Sequence, residues 1–432
     1  MQFPTLRPAS RPAPLTPRWA SHAFSVLLLS LSAACADPTQ PGPADTIDEL
    51  PRALSTAEET IISGSGRFAY QLLAQVHGAA PDSSAFLSPL SASMALGMTA
   101  LGAESATWTQ MRDMLGYDGM PHDQVGAAYR SLIDLLLELD PNVEFTLANA
   151  LWHRNGFQME APYLDMVRTN FDARVQGLDF DDDASADVMN DWVEDATNGK
   201  IDGIVEPPID PMTVLFLMNA VYFKGTWTVT FDADDTYPAP FYRADGGETS
   251  VRLMKVTDSF RFRQTNDWVG VELPYGGGAW VMDVVVPMGD KRISDVLPGL
   301  EDAIAALHDA PVAPEVDVFL PRFRLEWERT LNDDLRALGM VDALSPGVSD
   351  FTRMHRDARS MGLYVHKVKQ KTFVEVNEQG TEAAAVTSVE MRVVCACTPT
   401  LRADRPFLVV IRERLSGAVL FAGAMVQPPT EG

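Results

Sequence analysis

The chain has 432 residues, 46% of them hydrophobic and 22% charged, enough to bury a large core as one big mixed domain or two smaller ones. With 34 basic against 59 acidic residues its net charge is −25, which argues against nucleic acid or an anionic lipid surface as partner and otherwise serves solubility. Three cysteines, Cys35, Cys395 and Cys397, exclude a disulfide framework, and without nearby histidines the last two are too few for a zinc site.

Residues 1–34 contain Arg7, Arg11 and Arg18 and no acid. They end in an apolar run, 23–34, that is too short to span a bilayer and suits a signal peptide, so this segment is set apart from the fold. Ser32-Ala33-Ala34-Cys35 resembles the lipobox of bacterial lipoproteins, which implies that Cys35 is lipidated and becomes the new N-terminus. Ser32 stands where that motif more often has Leu, so ordinary signal cleavage stays open. Residues 35–56, rich in Pro, Asp and Thr, read as a disordered acidic tether. Without residues 1–34 the chain keeps 31 Lys and Arg against 59 Asp and Glu, a net charge of −28.

Thr56 with Glu59 predicts a capping box ahead of a first helix over 61–76. Ser88-Pro89 opens a second over 90–101, ended by Gly102, and its Ser91, Ala92, Ser93 and Ala95 are small enough for a neighbour to approach closely. Residues 143–151 alternate as a strand, 163–170 follow a helical pattern, and 190–198 predict a helix stopped at Gly199. The apolar run over 214–223 predicts a strand buried on both faces, in which Asn219 must find partners or cost about 1–3 kcal/mol. Residues 281–287 and 407–411 are further buried strands, Gly276-Gly277-Gly278 is a hairpin turn, and 331–338 form a short helix closed by Gly339. Residues 316–325 alternate in part around Pro321. There is no internal repeat, and no linker long enough to divide the domain.

No enzyme constellation is present: no Gly-x-Ser-x-Gly elbow, no His-Glu-x-x-His, no phosphate-cradling glycine loop. No metal site and no cofactor are expected. The informative stretch is 373–393. It starts as a strand over 373–376, breaks at Gly380, and continues in small residues that still alternate. Thr381, Ala383, Ala385, Thr387, Val389, Met391 and Val393 fall on one face, while Glu382, Glu390 and Arg392 fall on the other. A loop that keeps the alternation of a half-buried strand is suited to inserting into a sheet.

The wording from Glu378 through Gly380, Thr381, Ala383, Ala384 and Ala385 resembles the hinge of the serpins, serine protease inhibitors whose reactive loop inserts into their own central sheet. Phe86-Leu87-Ser88-Pro89-Leu90-Ser91, Asn219 through Trp227, Glu272-Leu273-Pro274-Tyr275, and Asp404-Arg405-Pro406-Phe407 with Gly423 recur in the same order. The resemblance covers roughly 57–428 and implies an α+β fold of about three β-sheets and eight or nine helices. It also implies a mobile reactive-centre loop over about 378–403 and leaves 429–432 as a tail. Glu378, Trp227 and Arg322 match the end of the sheet where insertion starts, and Ser91 and Asn219 the lower region that must part. Gln370 stands where the family usually has His.

The family's usual spacing, counted forward from Gly380, implies a scissile bond at Val394-Cys395, the placement taken here, whereas counted back from Pro406 it implies Cys395-Ala396. The first suits an elastase-like or subtilisin-like protease; Arg392 would suit a trypsin-like one. The implied protein is an exported monomer, an outer-membrane or cell-surface lipoprotein held only through Cys35, or else secreted. Its partner is a target serine protease. The alternative is a non-inhibitory member acting as a lipid-anchored binding or structural protein. Cys395 and Cys397 read as a pair of exposed thiols, since residues two apart make a strained disulfide.

Overall fold

The computed structural model describes residues 46–381 and 398–427. The fold opens with helix α1 (Thr56–Ala79), followed by strand β1 (Ala85–Leu87) and helices α2 (Pro89–Leu101), α3 (Ser105–Leu115) and α4 (His122–Leu137). Next come β2 (Val143–Arg154), α5 (Ala161–Phe171), β3 (Arg174–Leu178), α6 (Ala184–Ala196) and β4 (Leu215–Thr226). A run of strands follows: β5 (Tyr237–Tyr242), β6 (Glu248–Gln264), β7 (Trp268–Tyr275) and β8 (Trp280–Pro287). Short α7 (Ile293–Val296) and α8 (Leu300–His308) lead to β9 (Val312–Pro321), β10 (Phe323–Thr330), α9 (Asn332–Ala337) and α10 (Ala358–Met361). The chain finishes with β11 (Lys369–Asn377), β12 (Gly380–Thr381), β13 (Thr400–Arg402), β14 (Phe407–Glu413) and β15 (Val419–Met425).

The fold is α+β. One sheet has six strands in the order β10-β11-β12-β4-β2-β3. The other has nine, in the order β1-β15-β14-β8-β7-β6-β9-β13 with β5 beside β6. Among the described residues two sheets rather than three are hydrogen-bonded, because β6 is long enough to serve two neighbourhoods. Its Arg261–Gln264 end pairs with β7, while Leu253–Arg261 pairs with β9. Of the ten α-helical segments among the described residues, α7 and α10 have only four residues each, leaving eight longer ones.

Several sequence expectations shift in the structure. The capping box is Ser55 with Glu58, one residue earlier than Thr56 with Glu59: Ser55 Oγ accepts from Glu58 N at 3.3 Å, and a Glu58 carboxylate oxygen accepts from Ser55 N at 2.8 Å. Ser55 takes the extended backbone that the capping position needs, whereas Thr56 is already helical. α6 begins at Ala184, six residues before its predicted start. The stretch over 316–325 is two strands in different sheets, β9 and β10, divided at Arg322. β4 is not buried on both faces: Leu215, Phe216 and Leu217 are only half-buried. Residues 46–55, expected within the disordered tether, lie against the domain. Ile47 N donates to Gly277 O at 2.9 Å, Arg52 bonds Glu58 and Ser131, and Ile47, Leu50 and Leu54 pack on the core. Three apolar residues and these anchoring bonds outweigh a Pro-rich composition here.

Candidate functional site

The site lies in the six-stranded sheet, where β4 and β11 run parallel to each other and β12 sits between them at one end. In β12, Thr381 pairs with Val376 and Gly225, and Gly380 with Asn377 and Thr226. Among the described residues, β4 and β11 are bridged only by these two residues of β12. Gly380 is required there. Its φ is +153°, and a Cβ would lie 2.0 Å from the Gly225 carbonyl oxygen.

This upper end is saturated with bonds. The Glu378 side chain is 1% exposed, yet Oε1 receives Arg322 Nη2 at 2.5 Å, Arg322 Nε at 2.6 Å and Thr236 Oγ1 at 2.6 Å. Its own carbonyl accepts from Phe231 N at 2.9 Å. A buried carboxylate is tolerable only with such partners. Arg322 reaches it because the chain breaks between β9 and β10 at this residue. Trp227 Nε1 donates to Asn377 O at 3.0 Å and Trp227 N to Gln379 O at 2.8 Å, so one tryptophan fixes both ends of the turn that delivers the hinge. Its ring stacks on Tyr275 at 4.3 Å, and the Tyr275 hydroxyl meets Thr381 Oγ1 at 2.7 Å. Burial pushes the Tyr275 hydroxyl well above its ordinary range, against the pull of the Thr381 bond, so it stays protonated.

The lower end is different. A cavity of about 830 Å³ lies between β4 and β11, lined by Ser91, Asn219 and Gln370 among others. Ser91 Oγ donates to Asn219 O at 3.2 Å. Asn219 Nδ2 donates to Asn149 Oδ1 at 2.8 Å, and Asn149 Nδ2 donates to Phe171 O at 2.8 Å. Asn219 Oδ1 is buried with no hydrogen-bond partner. Gln370 is bonded both ways to one residue: Nε2 donates to Ser88 O at 2.7 Å, and Oε1 accepts from Ser88 N at 3.3 Å.

The structure thus brings Trp227, Arg322, Glu378, Gly380 and Thr381 together at one end, and Ser91, Asn219 and Gln370 together at the other. Ala383, Ala384, Ala385, Arg392, Val394, Cys395, Ala396, Cys397 and Cys35 fall outside the described residues. Sequence reasoning missed Tyr275, Thr236 and Asn149 as members of the site. Tyr275 and Asn149 stood inside stretches already singled out, Tyr275 beside a glycine run and Asn149 as a second amide in an apolar strand. Thr236 had no signal.

Among the described residues no helix is long and apolar enough to cross a membrane, and no group of side chains could hold a metal ion. A family model described as Serpin (serine protease inhibitor) matches residues 63–428. Neuroserpin of Homo sapiens is 30% identical over 366 residues, 81% of this chain and 87% of that protein. Antithrombin-III of Homo sapiens is 32% identical over 394 residues, 88% of this chain and 84% of the relative. Among solved structures, human thyroxine-binding globulin complexed with its ligand superposes with a TM-score of 0.78 at 26% identity, covering 87% of this chain and 100% of that one.

Proposed function

The chain belongs to the serpin family, and we propose that it inhibits serine endopeptidases through cleavage of its loop and insertion of that loop into the six-stranded sheet. The observation that carries this reading is the seat of the hinge: Gly380 and Thr381 already occupy a strand position between β4 and β11, above a cavity those strands border.

Continuing the same register, Ala383 would come opposite Val374 and Phe223, and Ala385 opposite Thr372 and Val221. Val374, Phe223 and Thr372 are buried, so small residues suit that face. In the proposed reaction the protease serine oxygen attacks the Val394 carbonyl carbon, and the bond to the Cys395 nitrogen breaks. That nitrogen leaves with a proton, and Val394 stays esterified to the enzyme. Insertion of the freed segment, bonded to a strand on each side, makes on the order of 10 kcal/mol available to distort the enzyme before water releases it. The bait bond is Val394-Cys395, with Cys395-Ala396 one step on. Cleavage at Arg392 would shorten the inserted strand by two residues and favour release.

In this reading the protein is no catalyst and takes no cofactor. It works as a monomer exported behind the 1–34 signal peptide. It is held at an outer membrane or cell surface through lipidated Cys35, in the manner of a bacterial lipoprotein, or is secreted if cleavage is ordinary. The likeness to thyroxine-binding globulin supports a second reading, a binding protein that uses the fold without trapping anything. The small residues at Thr381 and 383–385 favour inhibition.

Mixing the protein with elastase-like, subtilisin-like and trypsin-like proteases tests it. A complex that survives SDS is expected with the first two. Clean cleavage of the loop with no complex for any of them overturns the inhibitory reading.

A further inference from the structure

The Gly276–Gly278 turn between β7 and β8 is held from three sides. From the N-terminal segment, Ile47 N donates to Gly277 O at 2.9 Å. From the loop after β14, Arg414 Nε donates to Gly278 O at 2.7 Å, while Arg414 Nη2 reaches Ile47 O at 2.7 Å and lies 3.6 Å from Asp48. From the connection between α4 and β2, Asp140, only 6% exposed, accepts Gly277 N on Oδ2 at 2.9 Å and Asn142 N on Oδ1 at 2.9 Å. The buried Asp140 carboxylate cannot turn to water, so its bond to the Gly277 amide, itself buried, fixes that amide in place.

What this turn carries is the underside of the hinge. Gly276 N donates to Thr226 O at 2.9 Å, Thr228 N to Pro274 O at 2.8 Å, and Thr228 Oγ1 to Gly276 O at 2.9 Å. The turn is thereby tied to the end of β4, and Tyr275, which precedes it directly, meets Thr381. We propose that Ile47, Arg414 and Asp140 are positioning residues for loop insertion. They clamp the Gly276–Gly278 turn and so hold Tyr275 where Thr381 docks. The segment before α1 is then a working part of the inhibitor and not only a tether. Release of the clamp lets Tyr275 drift from Thr381, insertion starts from a less ordered end, and the trapped acyl-enzyme has more time to hydrolyse.

This assignment rests on the inhibitory reading for its functional half, so the test has two arms, both on the full chain. Ile47→Pro removes the donor to Gly277, Asp140→Ala removes the acceptor, and Ile47→Val keeps the donor as a control. In the first arm, hydrogen exchange of the Gly277, Trp227 and Thr381 amides is followed without any protease. Ile47→Pro and Asp140→Ala should exchange roughly two- to tenfold faster, the factor one net hydrogen bond carries, and Ile47→Val as wild type. In the second, the moles of inhibitor consumed per mole of protease trapped should rise in the two clamp variants at an unchanged rate of initial loop cleavage. Unaltered exchange at Trp227 and Thr381 overturns the clamp. Faster exchange with unaltered partition overturns its role in insertion. Should the wild type trap no protease, the inhibitory reading falls by itself, and the exchange arm alone supports or overturns the clamp.

Discussion

The two ends of the slot between β4 and β11 differ in how completely their polar groups are paired. At the hinge, the Glu378 carboxylate, the Trp227 indole and the Tyr275 hydroxyl all have partners. At the lower end a buried amide oxygen of Asn219 has none, and Gln370 is turned away onto Ser88. Buried polar groups without partners cost free energy that a newly arriving strand can recover. In the proposed mechanism, a sheet paired at one end and less completely paired at the other would give the inserting strand a direction, from the closed end downward.

The strongest way to break the contrast is to fill the slot. Cleavage of the loop near Val394 without trapping should raise the unfolding temperature markedly, as on the order of 10 kcal/mol of strand pairing is completed. Differential scanning calorimetry before and after a limited cut checks this, and equal temperatures would support the non-inhibitory reading. Next comes Thr381→Arg, which places an unpaired charge at a position 5% exposed at the top of the slot. Loop cleavage should continue while SDS-stable complex falls about tenfold or more; an undiminished yield counts against insertion.

Two milder substitutions loosen each end separately. Glu378→Gln removes the charge that Arg322 and Thr236 serve and should destabilise by roughly 1–3 kcal/mol, read from the midpoint of urea unfolding. Gln370→Ala strands the Ser88 amide and carbonyl and should cost about 1–2 kcal/mol, with hydrogen exchange accelerated near Ser88 but not at Trp227. Equal acceleration at both places would show that the two ends are one unit.

The smallest effect is a pH dependence at the entry to α1. Burial raises the Glu58 carboxyl, but bonds from Arg52 and Ser55 outweigh it and hold the group at about 2. A carboxyl lowered on folding contributes stability that is complete above its ordinary range near 4.5 and is lost as pH falls toward 2. The drop in the urea midpoint between pH 5 and 2.5 should therefore be smaller in Glu58→Gln than in wild type.

Much of this site was legible in the residues themselves. Alternation placed Thr381 on the inward face, where it is buried, and Gly380 marked the break where any Cβ would come within 2.0 Å of the Gly225 carbonyl oxygen. The apolar run over 214–223 announced β4, helix periodicity announced α1 and α5, and the Ser88-Pro89 start with the Gly102 stop announced α2. These signals are local. They depend on spacing and on steric limits that each residue carries with it. Three features needed the folded chain. Tyr275 and Thr381 are 106 residues apart in sequence, and Arg414 and Ile47 are 367 apart, so only their elements' packing could pair them. Among the described residues, β4 has only the two residues of β12 as its neighbour on one side, which goes with its half-exposure and which composition cannot report. The docking of residues 46–55 was decided by the Gly276–Gly278 turn and Arg414 waiting on the domain surface, because a polar segment orders when distant groups supply the bonds it cannot make alone.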